Sequence, residues 1–226
     1  MLKIGLIGYG KAGQAVANVL QAEPDLELSW IVRRTHQNAL DESGACSIPV
    51  IRLDQIDLAN WLDKHPVDAL VDFSGPEAVR QYGEELRRRR LMLVTAISAY
   101  SDADLAYIQS LGEDARVMSC PNITLGINFL ILAARLLREI APHADIAILE
   151  EHFRDKPEVS GTARKIAESL ELDDANITSL RLGGIVGHHE VVFGFPYQTV
   201  RLSHDSIRRE AFGTGAAFAL RELAAR

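Results

Sequence analysis

The segment Gly8-Tyr9-Gly10-Lys11-Ala12-Gly13 constrains this chain more than any other. It stands between a short apolar run, LKIGLI at residues 2–7, and QAVANVLQA, whose apolar residues recur at helical spacing. Strand, glycine turn and helix in that order form the opening of a dinucleotide-binding βαβ unit. The first glycine permits a tight turn, the second lets a pyrophosphate approach the backbone, and the third lets helix and strand pack closely. The helix start then offers free N–H groups to phosphate. A glycine-rich turn in an α/β protein without a cofactor would carry the same pattern.

The segments that follow keep the alternation. Strand-like runs lie at 26–32, 69–73, 91–96 and 116–120, separated by helix-like stretches around 54–64, EAVRQYGEELRRRR and DADLAYIQSLGED. That order predicts a parallel, doubly wound sheet of Rossmann type. The arginines at 87–90 end a helix, where cations complement the dipole. After PNITLG the texture changes to a long helix over 126–140, then strand-like segments at 145–152, 179–194 and 198–205, read as hairpin-linked and antiparallel with one polar face. The fold class is therefore α/β: an N-terminal Rossmann-type sheet, then a C-terminal α+β domain with a mixed or antiparallel sheet. The domains fall at 1–121 and 122–205, with a small-residue helix over 206–226.

A formal net charge of −7 argues against a nucleic-acid or anionic-membrane binder, and no apolar stretch is long and unbroken enough to span a bilayer. Cys46 and Cys120 form neither a disulfide framework nor a metal-ligand spacing, and no carboxylate and histidine cluster has one, so a cytoplasmic protein without a metal is expected.

Two stretches carry chemistry. The second strand ends in Arg33-Arg34 where an NAD site usually has an acid; guanidinium suits a 2′-phosphate, so NADPH is favoured over NADH, and Lys11 adds charge nearby. In LEEHFRDKPEVSGTA, residues 149–163, His152 and Lys156 leave a strand end and Ser160-Gly161-Thr162 opens a helix. A lysine, a helix start that binds oxyanions and a histidine that can give a proton suit a small dicarboxylate undergoing reduction. An ordinary N-cap beside solvent-facing charges would use the same residues.

The glycine turn, VDFSGPEAV at 71–79, PNITLGIN at 121–128, EEHFRDK followed by SGTA, LRLGGIVGHHEVVFG and SHDSIRREAFGTGA occur in one order along nearly the whole chain. In these motifs the chain resembles the 4-hydroxy-tetrahydrodipicolinate reductase (dihydrodipicolinate reductase) family of lysine and diaminopimelate biosynthesis. The resemblance implies NAD(P)H-dependent reduction of a cyclic imine dicarboxylate. It implies a Rossmann domain completed by the C-terminal helix, and a homotetramer assembled through the second domain's sheet. His152 corresponds to the proton donor and Lys156 to its partner in substrate binding and proton transfer, with Ser160, Gly161 and Thr162 holding carboxylate. On the cofactor side the matching positions are Gly8, Tyr9, Gly10, Lys11, Ala12 and Gly13, Arg33 and Arg34, Phe73 and Ser74, Thr95 and Ala96, and Cys120, Pro121, Asn122 and Ile123.

The chain also departs from the family pattern. Its glycine turn is one residue shorter, Val94-Thr95-Ala96 replaces Gly-Thr-Thr, Phe153 replaces a second histidine, and Glu158-Val159 replaces Asp-Ala-Pro. A phenyl ring cannot donate a hydrogen bond to a carboxylate. The departures leave two rivals: a paralogue reducing another imine or carbonyl acid, and a non-catalytic NADP-binding assembly protein.

Overall fold

The computed structural model describes residues 1–33 and 48–226, so Arg34 and Cys46 lie outside the described residues. The chain forms two compact units, Met1–Pro121 with Phe212–Arg226, and Asn122–Ala211.

The first unit runs β1 (Leu2–Ile7), α1 (Lys11–Ala22), β2 (Leu26–Val32), β3 (Val50–Ile51), α2 (Leu58–Lys64), β4 (Ala69–Asp72), α3 (Val79–Arg89), β5 (Met92–Thr95), α4 (Asp102–Leu111) and β6 (Val117–Ser119). Its strands lie in the order β3-β2-β1-β4-β5-β6, and every neighbouring pair is parallel. Strands covered on both faces read as unbroken apolar runs, and β4 and β5 are buried at every position. The order reverses between β1 and β4, so the crevice for a ligand lies outside the C-terminal ends of these strands.

One face of the sheet packs Ile7, Trp30, Val32, Leu70 and Leu93 against Val79, Tyr82 and Leu86 of α3 and Ile108 and Leu111 of α4. Trp30 fills the space that Gly5 leaves: a Cβ at Gly5 would fall 2.2 Å from the indole. Helix α4 is started by a capping box in which Ser101 and Asp104 satisfy each other's backbone N–H groups. The arginine run closes α3 in ion pairs, Arg87 with Asp114, Arg88 with Glu85, and Arg89 with Glu85 and Asp63.

The second unit contains α5 (Leu125–Ile140), β7 (Asp145–His152), α6 (Gly161–Ser169), β8 (Ile177–Arg181), β9 (His188–Phe195) and β10 (Gln198–Asp205). Its strand order is β10-β9-β7-β8. Here the structure corrects the sequence expectation. Residues 179–194 are not one strand in a run of hairpins; they contribute β8, parallel to β7, and β9, antiparallel to β7 on its other side. The break falls at Gly183-Gly184, where Gly183 has φ +49°, a conformation that favours glycine. Only β9 and β10 form an antiparallel hairpin. Leu130 and Ala134 of α5 and Ala163, Ile166 and Ala167 of α6 pack on Ile146, Ile148, Val191 and Phe193 of the sheet.

The last helix, α7 (Glu210–Ala224), returns to the first unit. A Cβ at Gly213 would lie 2.5 Å from Val19 of α1, so the glycine lets the two helices approach. Arg221 completes the join with ion pairs to Glu23 and Asp25.

Candidate active site

Of the expected cofactor residues, the first unit carries Gly8 to Gly13, Arg33, Phe73, Ser74, Thr95, Ala96, Cys120 and Pro121, while Asn122 and Ile123 fall in the second unit and Arg34 lies outside the described residues. Gly8 has φ +95°, and a Cβ there would lie 2.6 Å from the Phe73 carbonyl carbon and the Ser74 nitrogen. A Cβ at Gly13 would lie 2.0 Å from the Gly8 carbonyl oxygen, so both glycines are required by packing. Gly10 differs, because a Cβ there meets nothing within 4 Å. It stands before the first turn of α1, which has no side-chain cap, leaving open space against free N–H groups at Lys11, Ala12 and Gly13. The Tyr9 carbonyl accepts a long, 3.5 Å bond from Gln14. Arg33 follows β2 and lines a pocket with Gly8, Asp54, Ser74 and Glu77. A glycine turn with open space at its second position, a helix start without a side-chain cap and a guanidinium at the end of β2 fit a dinucleotide.

Behind this edge lies a polar network that the sequence reading missed. Asp72, fully buried at the end of β4, accepts from the Ser74 amide at 2.8 Å, the Ser74 hydroxyl at 2.5 Å and the Tyr82 hydroxyl at 2.7 Å. Burial pushes the Asp72 carboxyl up, against the Ser74 and Tyr82 bonds that pull it down. Thr95, also fully buried, pairs with the Tyr100 hydroxyl at 2.8 Å, and the Ala96 amide after it donates to the Asp72 carbonyl at 3.0 Å. Cys120 follows β6, its amide bonded to the Thr95 carbonyl, and partial burial raises its thiol above the ordinary value.

In the second unit His152, Ser160, Gly161, Thr162 and Lys156 gather around the end of β7 and the start of α6. His152 is only 8% exposed, and its Nδ1 lies 2.5 Å from Oε2 of Glu150. The His189 ring meets it edge-on at 5.3 Å between centroids. Lys156 makes no side-chain ion pair among the described residues, yet its charge helps to disfavour a proton on His152. A Cβ at Gly161 meets nothing within 4 Å, so the first turn of α6 is open to a ligand.

Two expected site residues are engaged differently. Ser160 is 4% exposed; its amide donates to Glu150 at 3.2 Å and its hydroxyl pairs with His189 Nε2 at 2.8 Å. The hydroxyl's direction in that bond depends on the His189 tautomer, and where the imidazole donates, the Ser160 O–H stays available beside the first turn of α6. Asn122 was expected on the cofactor side. Its side-chain oxygen accepts the Thr162 hydroxyl at 3.0 Å within the second unit, to which Ile123 also belongs. Phe153, 39% exposed, follows directly on His152.

Glu150 is the residue the sequence reading passed over. It has no solvent exposure, and it accepts from both terminal nitrogens of Arg181 at 2.8 and 2.9 Å, from the Ser179 hydroxyl at 2.7 Å and from the Ser160 amide. Burial pushes its carboxyl up, but the bonds from Arg181, Ser179, His152 and Ser160 outweigh that and hold it down at about 2. Arg181 also donates to the Lys156 carbonyl at 3.0 Å and the Glu158 carbonyl at 2.8 Å, tying down the segment between β7 and α6. A signal was present: Ile146, Ile148, Glu150 and His152 alternate along β7, so an acid sits on the apolar face of a strand. Two other histidines of this unit take lesser places, with His188 bonded to Asp205 at 2.8 Å and His204 packed where Gly126 leaves room.

Comparisons with known proteins point to one family. The family model described as dihydrodipicolinate reductase, N-terminus, matches residues 2–123, and the one for the C-terminus matches residues 123–226. The 4-hydroxy-tetrahydrodipicolinate reductase of Laribacter hongkongensis is 28% identical, over 96% of this chain and 91% of the relative. That of Caldanaerobacter subterraneus subsp. tengcongensis is 28% identical, over 92% and 86%. Among solved structures, a dipicolinate-bound dihydrodipicolinate reductase from Paenisporosarcina sp. TG-14 shares the fold with a TM-score of 0.81 and 24% identity, covering 99% of this chain and 94% of that one. An aspartate dehydrogenase from Thermotoga maritima aligns at a TM-score of 0.53 and 14% identity, covering 99% and 97%.

Proposed function

The chain belongs to the dihydrodipicolinate reductase family, and from that premise we propose that it reduces 4-hydroxy-tetrahydrodipicolinate to tetrahydrodipicolinate in lysine and diaminopimelate biosynthesis. The observation that carries the reading is the pairing of a buried, carboxylate-bound His152 with the open first turn of α6 and Lys156, which makes no side-chain ion pair among the described residues. Loss of the substrate's 4-hydroxyl together with a hydrogen of the neighbouring ring carbon, as water, leaves a conjugated imine; the family uses a nicotinamide cofactor, which when bound would supply hydride to it.

This chain's residues do the rest. The free N–H groups of α6 and the Lys156 ammonium bind carboxylate and orient the ring. His152, anchored through Nδ1, delivers a proton from its other nitrogen to the ring carbon beside the hydride acceptor. Lys156 beside the bound anion also draws electron density toward the carboxylate end and offsets its charge. On the cofactor side, Gly10 and the start of α1 take the pyrophosphate. Arg33 supports NADPH over NADH, because a guanidinium pairs with a 2′-phosphate and cannot accept a hydrogen bond from the ribose hydroxyls as a carboxylate would.

The proposed setting is the cytoplasm; no helix among the described residues is long and apolar enough to cross a membrane. The proposed assembly is a homo-oligomer, a tetramer by resemblance, supported by an apolar stripe on α5. Phe129, Leu132, Leu136 and Ile140 lie on one helix face and are 59–72% exposed.

Phe153 favours one other reading, a paralogue for a different imine or carbonyl acid, since it adds apolar surface at the end of β7 and offers no hydrogen bond. One assay separates them: oxidation of NADPH and NADH followed in parallel on enzymatically generated 4-hydroxy-tetrahydrodipicolinate and on a panel of keto and imino acids. Turnover of the dipicolinate intermediate, faster with NADPH, is expected. His152→Ala should lower kcat by about 10²–10⁴-fold with the dissociation constant for NADPH unchanged. Turnover of a panel acid alone would establish the paralogue, and cofactor binding without turnover on any acid would make the protein a non-catalytic binder.

A further inference from the structure

We propose that Glu150, clamped by Arg181, is a positioning residue that fixes the tautomer and aim of His152. The inference rests on the reductase reading for its kinetic consequence, while its structural core does not need that reading.

The argument begins with acceptor chemistry. An ionised carboxylate can only accept hydrogen bonds, and Glu150 is surrounded by donors: the Arg181 fork, the Ser179 hydroxyl and the Ser160 amide. The atom of His152 that faces it, Nδ1, must therefore carry a hydrogen. In the neutral ring the lone pair then sits on Nε2, and in the charged ring Nε2 holds the proton that can leave. Nε2 faces Gly187, where an added Cβ would stand 3.1 Å from it, so the missing side chain keeps that nitrogen uncrowded.

The clamp has a second consequence. Arg181 holds the Lys156 and Glu158 carbonyls as well as Glu150, so one guanidinium sets both the acid behind His152 and the segment carrying Lys156. The charged and titratable groups around the imidazole are Glu150 on its own strand, Arg181 on β8, His189 on β9 and Lys156 on the following segment. Burial lowers His152 below the ordinary value, Glu150 opposes that by hydrogen bond and charge, and Lys156 and Arg181 add to the lowering. Glu150 is the one acid in this set. A bound dicarboxylate brings further negative charge, which raises the ring's proton affinity when the proton is needed.

Two measurements test the proposal. Nitrogen-15 NMR of the wild-type protein above pH 8 should find His152 protonated at Nδ1; the Nε2–H tautomer would overturn the idea whatever the substrate proves to be. Glu150→Gln should cut kcat by about 10–100-fold, change the KM for the dicarboxylate less than threefold, and move the high-pH limb of kcat to lower pH, because a proton donor without its acid neighbour loses its proton earlier. A variant with the same pH limb as wild type would reduce Glu150 to a structural role. Should Glu150→Gln not fold, Glu150→Asp keeps the charge but draws it one methylene back from Nδ1, and a downward shift of the limb, smaller than that of the Gln variant, is required of it. Absence of turnover in the wild type would count against the reductase reading alone, since the tautomer measurement stands without it.

Discussion

Gly13 and Gly10 separate two duties that a glycine motif combines. At Gly13 a methyl group would lie 2.0 Å from the Gly8 carbonyl oxygen, whereas at Gly10 it would meet nothing within 4 Å. Gly13→Ala should destabilise the first unit by about 1–3 kcal/mol, and Gly10→Ala should leave stability nearly unchanged while weakening NADPH binding. Thermal unfolding and a cofactor titration on both variants check this, and equal losses of stability would contradict the assignment. These duties were legible in the sequence because the turn is local: strand, turn and helix are consecutive. The Glu150–Arg181 contact was not, since its partners come from strands 31 residues apart and nothing in either segment names the other. The bond between Ser160 and His189 was illegible for a related reason, as its partners lie 29 residues apart.

Among the elements, β7 and β9 carry a pH dependence. Burial, with the charge of His152 next, pushes His189 down to about 3, and burial also lowers His152. Both are depressed from an unfolded value near 6.5, so below that value the unfolded chain takes up protons that the folded one refuses, and stability falls with pH. Glu150, held at about 2 against an unfolded 4.5, adds a second loss as pH drops below 4.5. Denaturant unfolding of the second unit should therefore give a lower midpoint at pH 5 than at pH 8. A midpoint flat across that interval would mean that the two histidines are not protected from protonation. The elements themselves were largely legible, since helix and strand periods differ and glycine or proline marks the joints. What failed was pairing: alternation finds β8 and β9 as strand-like but cannot say that β7 lies between them.

For the whole molecule, the parallel sheet followed by a mixed one was legible from the change of texture after residue 121, because buried parallel strands and half-exposed strands need different patterns. Assembly was not, since an apolar stripe on a helix reads the same whether it faces a core or another subunit. On α5 the two stripes coexist, Ile127, Leu130 and Ala134 buried and Phe129, Leu132, Leu136 and Ile140 exposed. Leu136→Glu should lower the mass seen in sedimentation velocity, and a wild-type protein that sediments as a monomer would remove the proposed oligomer. The return of α7 to the first unit has a different consequence, one of timing during synthesis. Gly213 and Arg221, which seat α7 against α1, leave the ribosome only after all of the second unit has been made. The nascent first unit therefore carries an uncovered apolar flank until the second unit has been synthesised, and the second unit is free to fold ahead of the one that precedes it.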